Sequence, residues 1–575
     1  MSKARLELGG GNWAAKDGKL LGYAVGDTSS KYLPREFTFS RGADIAATRV
    51  NKDGLVEKYR ENKAHYSNNF ATVSGGGGWG HSGINTISTG QDGYDGTTNA
   101  TFIRAETTLS KHQVTLGVAQ SLPGEDFSIT GVFTLSVYAK PNGYDHLILR
   151  SDITNINASF NIATGVVGTR GSKCISSSMT YAGNGFYRCQ ATFNHSGSVE
   201  FLAIGMMEQD DTTDFTGDTS KGYILQDAQL EMGLSATDLI STNGAPGKAG
   251  VLDNLPRIDY TSGSPRFIME PQRTNKLPHS EYFGLWGSNG VNLELGYEAP
   301  DGTKSAYKIS VSGGTAETYV VESGSVLPTD SRSIWAKTVS GTGTVNLLTY
   351  YQNTNNLFEI TNEWQRFEVS SVTTNTGETN FYAVDFRGDG TLTEVLIWGA
   401  QAEVGSYATS YIPTHGVSVT RNGDAASITG ASDLIGQTEG TIVIDFKRTF
   451  KNDNYNRYLV VDDNDSSIYR TGIFILPEPS NDGRLYINLR NNSTSVFDHT
   501  YNDTTDRDLK IAVAYSSGDI DYFVNGVKVN SSTATFSFSH TLERISVNGS
   551  NQENNQILVF KTKLTDSECI ALTTL

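Results

Sequence analysis

Binding a sugar takes an aromatic face to stack on pyranose C–H groups and a few planar polar side chains for its hydroxyls. Six tryptophans could supply such a face: Trp13, Trp79, Trp286, Trp335, Trp364 and Trp398. Trp335 and Trp364 stand, in the internal repeat described below, where the other copy has Tyr138 and Phe186, so aromatic bulk is what is kept and a core role is expected. Trp79 and Trp286 lie in less regular segments, where platform and core are evenly matched. Beyond the last tryptophan a platform must use Tyr or Phe, and Tyr455, Tyr458 and Tyr469 flank a polar loop. Hard oxygen ligands for a cation occur in Asp462-Asp463-Asn464-Asp465 and in Asp210-Asp211 with Asp214 and Asp218, although each run reads first as a solvated turn.

Catalytic chemistry is harder to place. Glycan hydrolysis needs two carboxylates about 5–10 Å apart with separated pKa values. No Glu-x-Asp-x-Glu run exists; Asp519-Ile520-Asp521 is the nearest and falls at a predicted hairpin turn, as solvated acids would. Glu231 and Glu403 occupy equivalent repeat positions, which points to service to the fold. The nine histidines are scattered, without His-x-x-x-His spacing, and there is no Gly-x-Ser-x-Gly elbow. Gly75-Gly76-Gly77-Gly78 is followed by no Lys-Ser or Lys-Thr, so it is not a phosphate loop. Cys569 falls on a predicted terminal helix and is expected to be packed. The reading is of a protein that is not an enzyme and carries no cofactor.

The elements that hold these residues are strands. Apolar residues alternate with polar ones in short runs rich in Val, Ile, Thr, Tyr and Phe, separated by Gly/Asn/Asp/Ser clusters, among 60 glycines and 13 prolines in 575 residues. Leu509, Ile511, Val513 and Tyr515 share one strand face, Ile520, Tyr522 and Val524 the next, and Asn525-Gly526 suits a type I′ turn. One helix signal exists, a capping box of Thr565 and Glu568. A net charge of −17 without a Lys/Arg cluster excludes nucleic acid as a partner. Insertion into a membrane is excluded too, because no window approaches the ~18 apolar residues of a span. Three cysteines make no disulfide framework; Cys174 and Cys189 could pair across strands, but a reduced compartment is expected.

An internal repeat sets the organisation. Asn62-Lys63, Ser67 and Phe70 match Asn275-Lys276, Ser280 and Phe283, and Trp79 and Trp286 follow. Asp95-Gly96-Thr97 answers Asp301-Gly302-Thr303, Ser136 to Lys140 answers Ser333 to Lys337, and Ala228-Gln229-Leu230-Glu231 answers Ala400-Gln401-Ala402-Glu403. The divisions expected are an N-terminal segment 1–60, repeat 1 over 61–245, a connector 246–274, repeat 2 over 275–418 and a third β unit over 419–575.

The opening Asn-Lys, Ser, Phe and Trp with the closing Ala-Gln-x-Glu-x-Gly resemble jelly-roll carbohydrate-binding modules. Glu270-Pro271-Gln272-Arg273-Thr274-Asn275 and the run Gly399 to Thr414 resemble segments of tail-fibre, head-fibre and other virion surface proteins of tailed phages, over most of residues 37–418. Thr441 to Phe446, Ile511 to Tyr515, Asp521 to Val527 and Leu564 to Glu568 resemble a concanavalin-A-like or laminin-G-like sandwich.

The resemblance implies an all-β chain of tandem antiparallel β-sandwiches, two homologous jelly-rolls plus a concanavalin-A-like unit, with very little helix. It further implies a fibre, spike or decoration subunit of a phage virion, made in the host cytoplasm and exposed on the particle. Such a subunit would be held to other virion proteins by its N-terminal segment, form a homotrimer and bind host-surface glycan. A glycan-cleaving spike and a spacer without ligand are the alternatives. Sandwiches of both types often hold structural calcium, for which Asp462, Asp463 and Asp465 are the candidates, while Gln229 and Gln401 stand where the sugar-binding modules would need an acid. In the phage proteins a stretch like 47–57 runs soon into one like 255–260; here repeat 1 intervenes, so residues 37–58 and 251–274 are expected to pair as one discontinuous unit.

Overall fold

The computed structural model describes residues 4–25, 32–42, 46–71, 78–117, 128–210, 212–313, 317–324, 326–327, 329–349, 356–369, 379–448, 457–465, 471–477, 484–502, 507–548 and 551–575, without the side chains of 23–25, 32 and 33. Its regular structure is nearly all antiparallel strand, organised as tandem β-sandwiches. Among the described residues the only α-helix is Asp566–Thr573, which carries the expected Thr565/Glu568 capping box.

Each repeat is a two-layer sandwich. In repeat 1 one layer runs Cys174–Gly183, Phe186–Val199, Ile129–Asn142, Gly222–Met232, Ala100–Ala105, Ile84–Gln91. The other runs Val166–Arg170, Asn157–Asn161, His146–Arg150, Phe201–Met207, Gln113–Gly117, Gly80–Ser82. Repeat 2 keeps this order with one edge strand fewer in each layer among the described residues. Its first layer is Gln365–Val369, Asp330–Lys337, Glu394–Val404, Ala306–Val311, Val291–Tyr297, and its second is Leu357–Ile360, Gly343–Thr349, Asn380–Asp385, Tyr319–Ser323, Gly287–Asn289.

The repeated motif is a buckle that closes each sandwich. Asn62 donates to the carbonyls of Ala228 and Ile240 and accepts from the N–H groups of Ala64 and Leu230, all buried. Asn275 does the same with Ala400, Ile412, Leu277 and Ala402. Glu231 and Glu403 each cap one loop, accepting the backbone N–H and hydroxyl of Thr237 and Thr409 respectively. Gln229 and Gln401 accept from Ile240 N–H and Ile412 N–H at 2.6 Å. Buried polar backbone groups must be paired, and these side chains pair them where the closing strand turns away from the sheet.

The third sandwich is built from both ends of the chain. Leu6–Gly9 pairs with Gln552–Phe560, and Tyr32–Ser40 pairs with Ala425–Ile428. Phe267 lies opposite Asn554. Leu6, Leu8, Leu20, Phe37, Phe39, Phe267 and Met269 share one core with Ile442, Ile444, Ile511, Val513, Tyr515 and Tyr522. This corrects the boundary of an N-terminal segment standing apart over 1–60. Its first four strands complete a sheet whose exposed edge backbone otherwise lacks partners, so the two repeats are insertions in a composite domain. The 37–58 and 251–274 stretches meet there: Val50 N–H donates to Asp259 at 2.7 Å, and Tyr260 N–H donates to the Val50 carbonyl at 3.0 Å.

A buried charge cluster joins the three chain segments. Arg41 and Arg257 bind Asp424, and Arg257 and Arg421 bind Glu270 at 2.7 and 2.9 Å. All five are buried. The repeats also dock on one another: Val132 and Leu234 of repeat 1 enter the core of repeat 2, and Val132 N–H donates to the His415 carbonyl at 2.9 Å. That close approach requires Gly131, at φ +92°, whose Cβ would stand 1.8 Å from the same carbonyl.

The three cysteines are free, with Cys174 opposite Phe193 and Cys189 opposite Met179. Asp521 is not solvated as expected at a turn; it is 3% exposed on a strand, clamped by Lys528 at 3.0 Å and Lys563 at 2.6 Å.

Candidate saccharide-binding faces

The structure removes several sequence candidates. Trp79 is 1% exposed, donates to the Tyr66 carbonyl and packs on Phe70, while Trp286 is 5% exposed, donates to the His279 carbonyl and packs on Phe283 and Phe381. Neither is a platform: each indole fills the end of a sandwich core, and its one polar atom is spent on the chain. Tyr458 is buried against Phe446. Tyr455 and Tyr469 lie outside the described residues.

The calcium candidates make protein contacts of their own, although Asp463 Oδ2 is buried without a hydrogen bond among the described residues. Asp462 takes a two-pronged bond from Arg544, Asp463 faces His540 at 3.7 Å, and Asp463 also accepts from Asp465 N–H. Asp210 accepts from Ser159 and Thr169, Asp214 from Lys111 and Asp218 from Ser220. Among the described residues no three His, Cys, Asp or Glu side chains converge as metal ligands.

A site the sequence candidates missed lies on the outer face of the second layer of repeat 2. Val320, Val384, Leu347 and Val345 point into the core, so their neighbours along each strand point out. Tyr319, Asp385, Asn346 and Leu357 stand side by side across four strands, with Tyr382 beside Val321 in the next row. Three interstrand steps make this row about 14 Å long, enough for a short saccharide. Tyr319 and Tyr382 meet edge to face at 5.3 Å. Arg387 lies 4.4 Å over the Tyr319 ring and 5.1 Å from Tyr382. It gives two 2.8 Å bonds to Asp385 and one of 2.6 Å to Glu317. Burial opposes its charge, but these two carboxylates outweigh burial and raise its pKa. Asn346 donates to the Arg387 carbonyl at 3.0 Å. Tyr319 is half-buried and Leu357 is 45% exposed, while Asp385, Asn346 and Arg387 are buried and form the floor. The result is a row with an aromatic ring at one end, an aliphatic side chain at the other and planar polar groups between, braced by one guanidinium against two carboxylates.

The same face of repeat 1 carries different chemistry. Its first row is Gln113, Gly205, Ile148, Ser159 and its second is Thr115, Ala203, Arg150, Asn157. Arg150 donates to Gln113 Oε1 at 2.9 Å.

A cleft of about 540 Å³ opens where the repeats meet the strand Val56–Asn62. Lys58 spans it, 2.8 Å from both Glu281 and Asp301, and Tyr411 donates to Glu281 at 3.0 Å. Burial lowers the pKa of His415 in this cleft to about 4, with Lys58 and His279 adding to the effect and Glu281 and Asp301 opposing it. The charged groups around Lys58 satisfy one another, which makes this a structural joint.

No protein-family model matches the chain, and no curated protein matches it. Solved structures with local similarity include the CBM40 module of the Ruminococcus gnavus IT-sialidase, 17% identical over 24% of this chain and 85% of that one, with a TM-score of 0.21. A tandem CBM22 pair from Paenibacillus barcinonensis Xyn10C is 14% identical over 64% of this chain and 99% of its own, with a TM-score of 0.19. A leech intramolecular trans-sialidase is 19% identical over 26% of this chain and 27% of its own, with a TM-score of 0.21.

Proposed function

We propose that this chain is a non-enzymatic surface protein of a tailed-phage particle, a fibre, spike or decoration subunit that displays saccharide-binding faces toward host-surface glycan. The observation that carries the binding half is the outward row of Tyr319, Asp385, Asn346 and Leu357, braced by Arg387. It combines the ring, the apolar contact and the planar polar groups that a sugar requires. The phage half is supported by the segments Glu270 to Asn275 and Gly399 to Thr414. A single small face binds weakly, and several copies on one particle, as in a homotrimer, raise effective concentration at a cell surface. With Leu6–Gly9 committed as a strand, attachment to other virion proteins falls to an exposed surface of the composite domain.

The test is retention of the full chain on purified host-surface polysaccharide, with reducing ends counted over time. Retention without new reducing ends is expected. Release of ends would replace this reading with a cleaving spike, and no retention at any valency would leave a spacer.

A further inference from the structure

The corresponding faces of the two repeats treat their arginines oppositely. In repeat 2 the guanidinium of Arg387 is neutralised by Asp385 and Glu317 at hydrogen-bond distance. In repeat 1 the positions of Tyr319, Asp385 and Asn346 are taken by Gln113, Gly205 and Ile148. The acid is gone, and one row along stands Arg150, whose protein contact is the neutral amide oxygen of Gln113 at 2.9 Å.

Arg150 is half-buried, and burial lowers its pKa, partly offset by the charges of Asp152 and Asp214. Neither acid is a bonded partner: Asp214 is held by Lys111 at 3.0 Å, and Asp152 accepts the Ser151 hydroxyl at 3.0 Å. A guanidinium carries five N–H donors in a planar fork that matches a carboxylate. Here most of that fork has no hydrogen-bond acceptor among the described residues, and Asp152 and Asp214 offset the cost of its partial desolvation only in part.

Gln113, Thr115, Ile148 and Ala203 are buried, so half-buried Arg150 is the side chain this face presents to a ligand. Gly205 puts bare backbone between Ile148 and Gln113, where a Cβ would lie 3.0 Å from Ile148 Cγ2 and 3.6 Å from Gln113 Cβ. Ala203 separates Arg150 from Thr115 in the next row.

We propose that the repeat 1 face binds an acidic saccharide, its carboxylate received by Arg150 beside Gln113 and Thr115, while the repeat 2 face takes neutral sugars. This rests on reading both faces as saccharide sites. One chain then carries two specificities on one scaffold, the difference set by whether the outward arginine has a carboxylate of its own.

The test uses the full chain on an array of paired glycans, each acidic sugar beside its carboxyl-reduced form. The expected result is a preference of tenfold or more for acidic members. Arg150→Ala and the size-matched Arg150→Gln should abolish that preference with an unchanged melting temperature, and Arg150→Lys should restore part of it. Tyr319→Ala should leave the preference intact while lowering retention of neutral glycans. Absence of preference in every pair, or a preference that survives both neutral variants, overturns the inference. Loss of neutral-glycan binding in Tyr319→Ala would in that case leave the saccharide reading of repeat 2 standing, whereas no binding to any member would remove both.

Discussion

The Glu270 carboxylate holds Ser410 through both of its oxygens: Oε1 accepts the Ser410 N–H at 2.7 Å and Oε2 its hydroxyl at 2.6 Å. Glu270 precedes repeat 2 and Ser410 follows its closing strand, so one side chain fastens entry to exit while also binding Arg257 and Arg421. The segments around Glu270 and Ser410 are thus two halves of one clasp.

Breaking that clasp should be expensive. Glu270→Gln leaves buried Arg421 without its carboxylate and Arg257 with Asp424 alone, and removing one member of a buried ion pair costs about 3–5 kcal/mol. Chemical denaturation should show a loss of this order; a loss under about 1 kcal/mol would mean the cluster is not a unit. Burial alone would raise the Glu270 pKa, but Arg421 and Arg257 outweigh it and hold the carboxyl far below the usual range. Its contribution is therefore present above the unfolded value near 4.5 and is lost as pH falls below it.

Asn62 and Asn275 should act locally. Each makes four hydrogen bonds to backbone groups, and leaving buried groups unpaired costs about 1–3 kcal/mol apiece before relaxation. Asn62→Ala should lower hydrogen-exchange protection in repeat 1 and spare repeat 2, and Asn275→Ala the reverse. Equal loss in both repeats would show that they do not close independently.

The joint between the repeats should weaken in mild acid. His415 has a folded pKa of about 4 against an ordinary 6.5, so the unfolded chain binds more protons between those values and stability falls with pH across that window. His279, also lowered by burial, adds in the same direction. Between about pH 6.5 and 5, above the range where the Glu270 contribution is lost, melting temperature should drop and His415→Gln should flatten the slope. A slope that persists in the variant would assign it elsewhere.

How much of this was legible depended on whether the information is local. Strand alternation, the Asn525-Gly526 hairpin and the Thr565/Glu568 cap are set by neighbours in sequence, and the structure has all three. The paired positions of Asn62 and Asn275, Gln229 and Gln401, and Glu231 and Glu403 marked a shared structural task before any contact was known. The pairing of Leu6 with Val559 was not readable, because periodicity gives a strand its faces and leaves its partner open. Trp79 and Trp286 could not be resolved, since exposure depends on what the sandwich end encloses. Along Asn380–Asp385, Phe381 and Ala383 face inward and Tyr382 outward, but Val384 is inward too, because the irregularity that pairs Val320 with Val384 and Val321 with Tyr382 breaks the alternation and turns Asp385 out. The convergence of Tyr319, Asp385 and Arg387 depends instead on register across strands.

The most direct measurement is retention of the full chain, displayed multivalently, on host-surface glycans before and after Tyr319→Ala. The wild-type protein should be retained on neutral glycans and the variant should lose about tenfold, ~1.4 kcal/mol, with its melting temperature unchanged. Equal retention of the two proteins, or no retention of either, would contradict the saccharide reading of repeat 2.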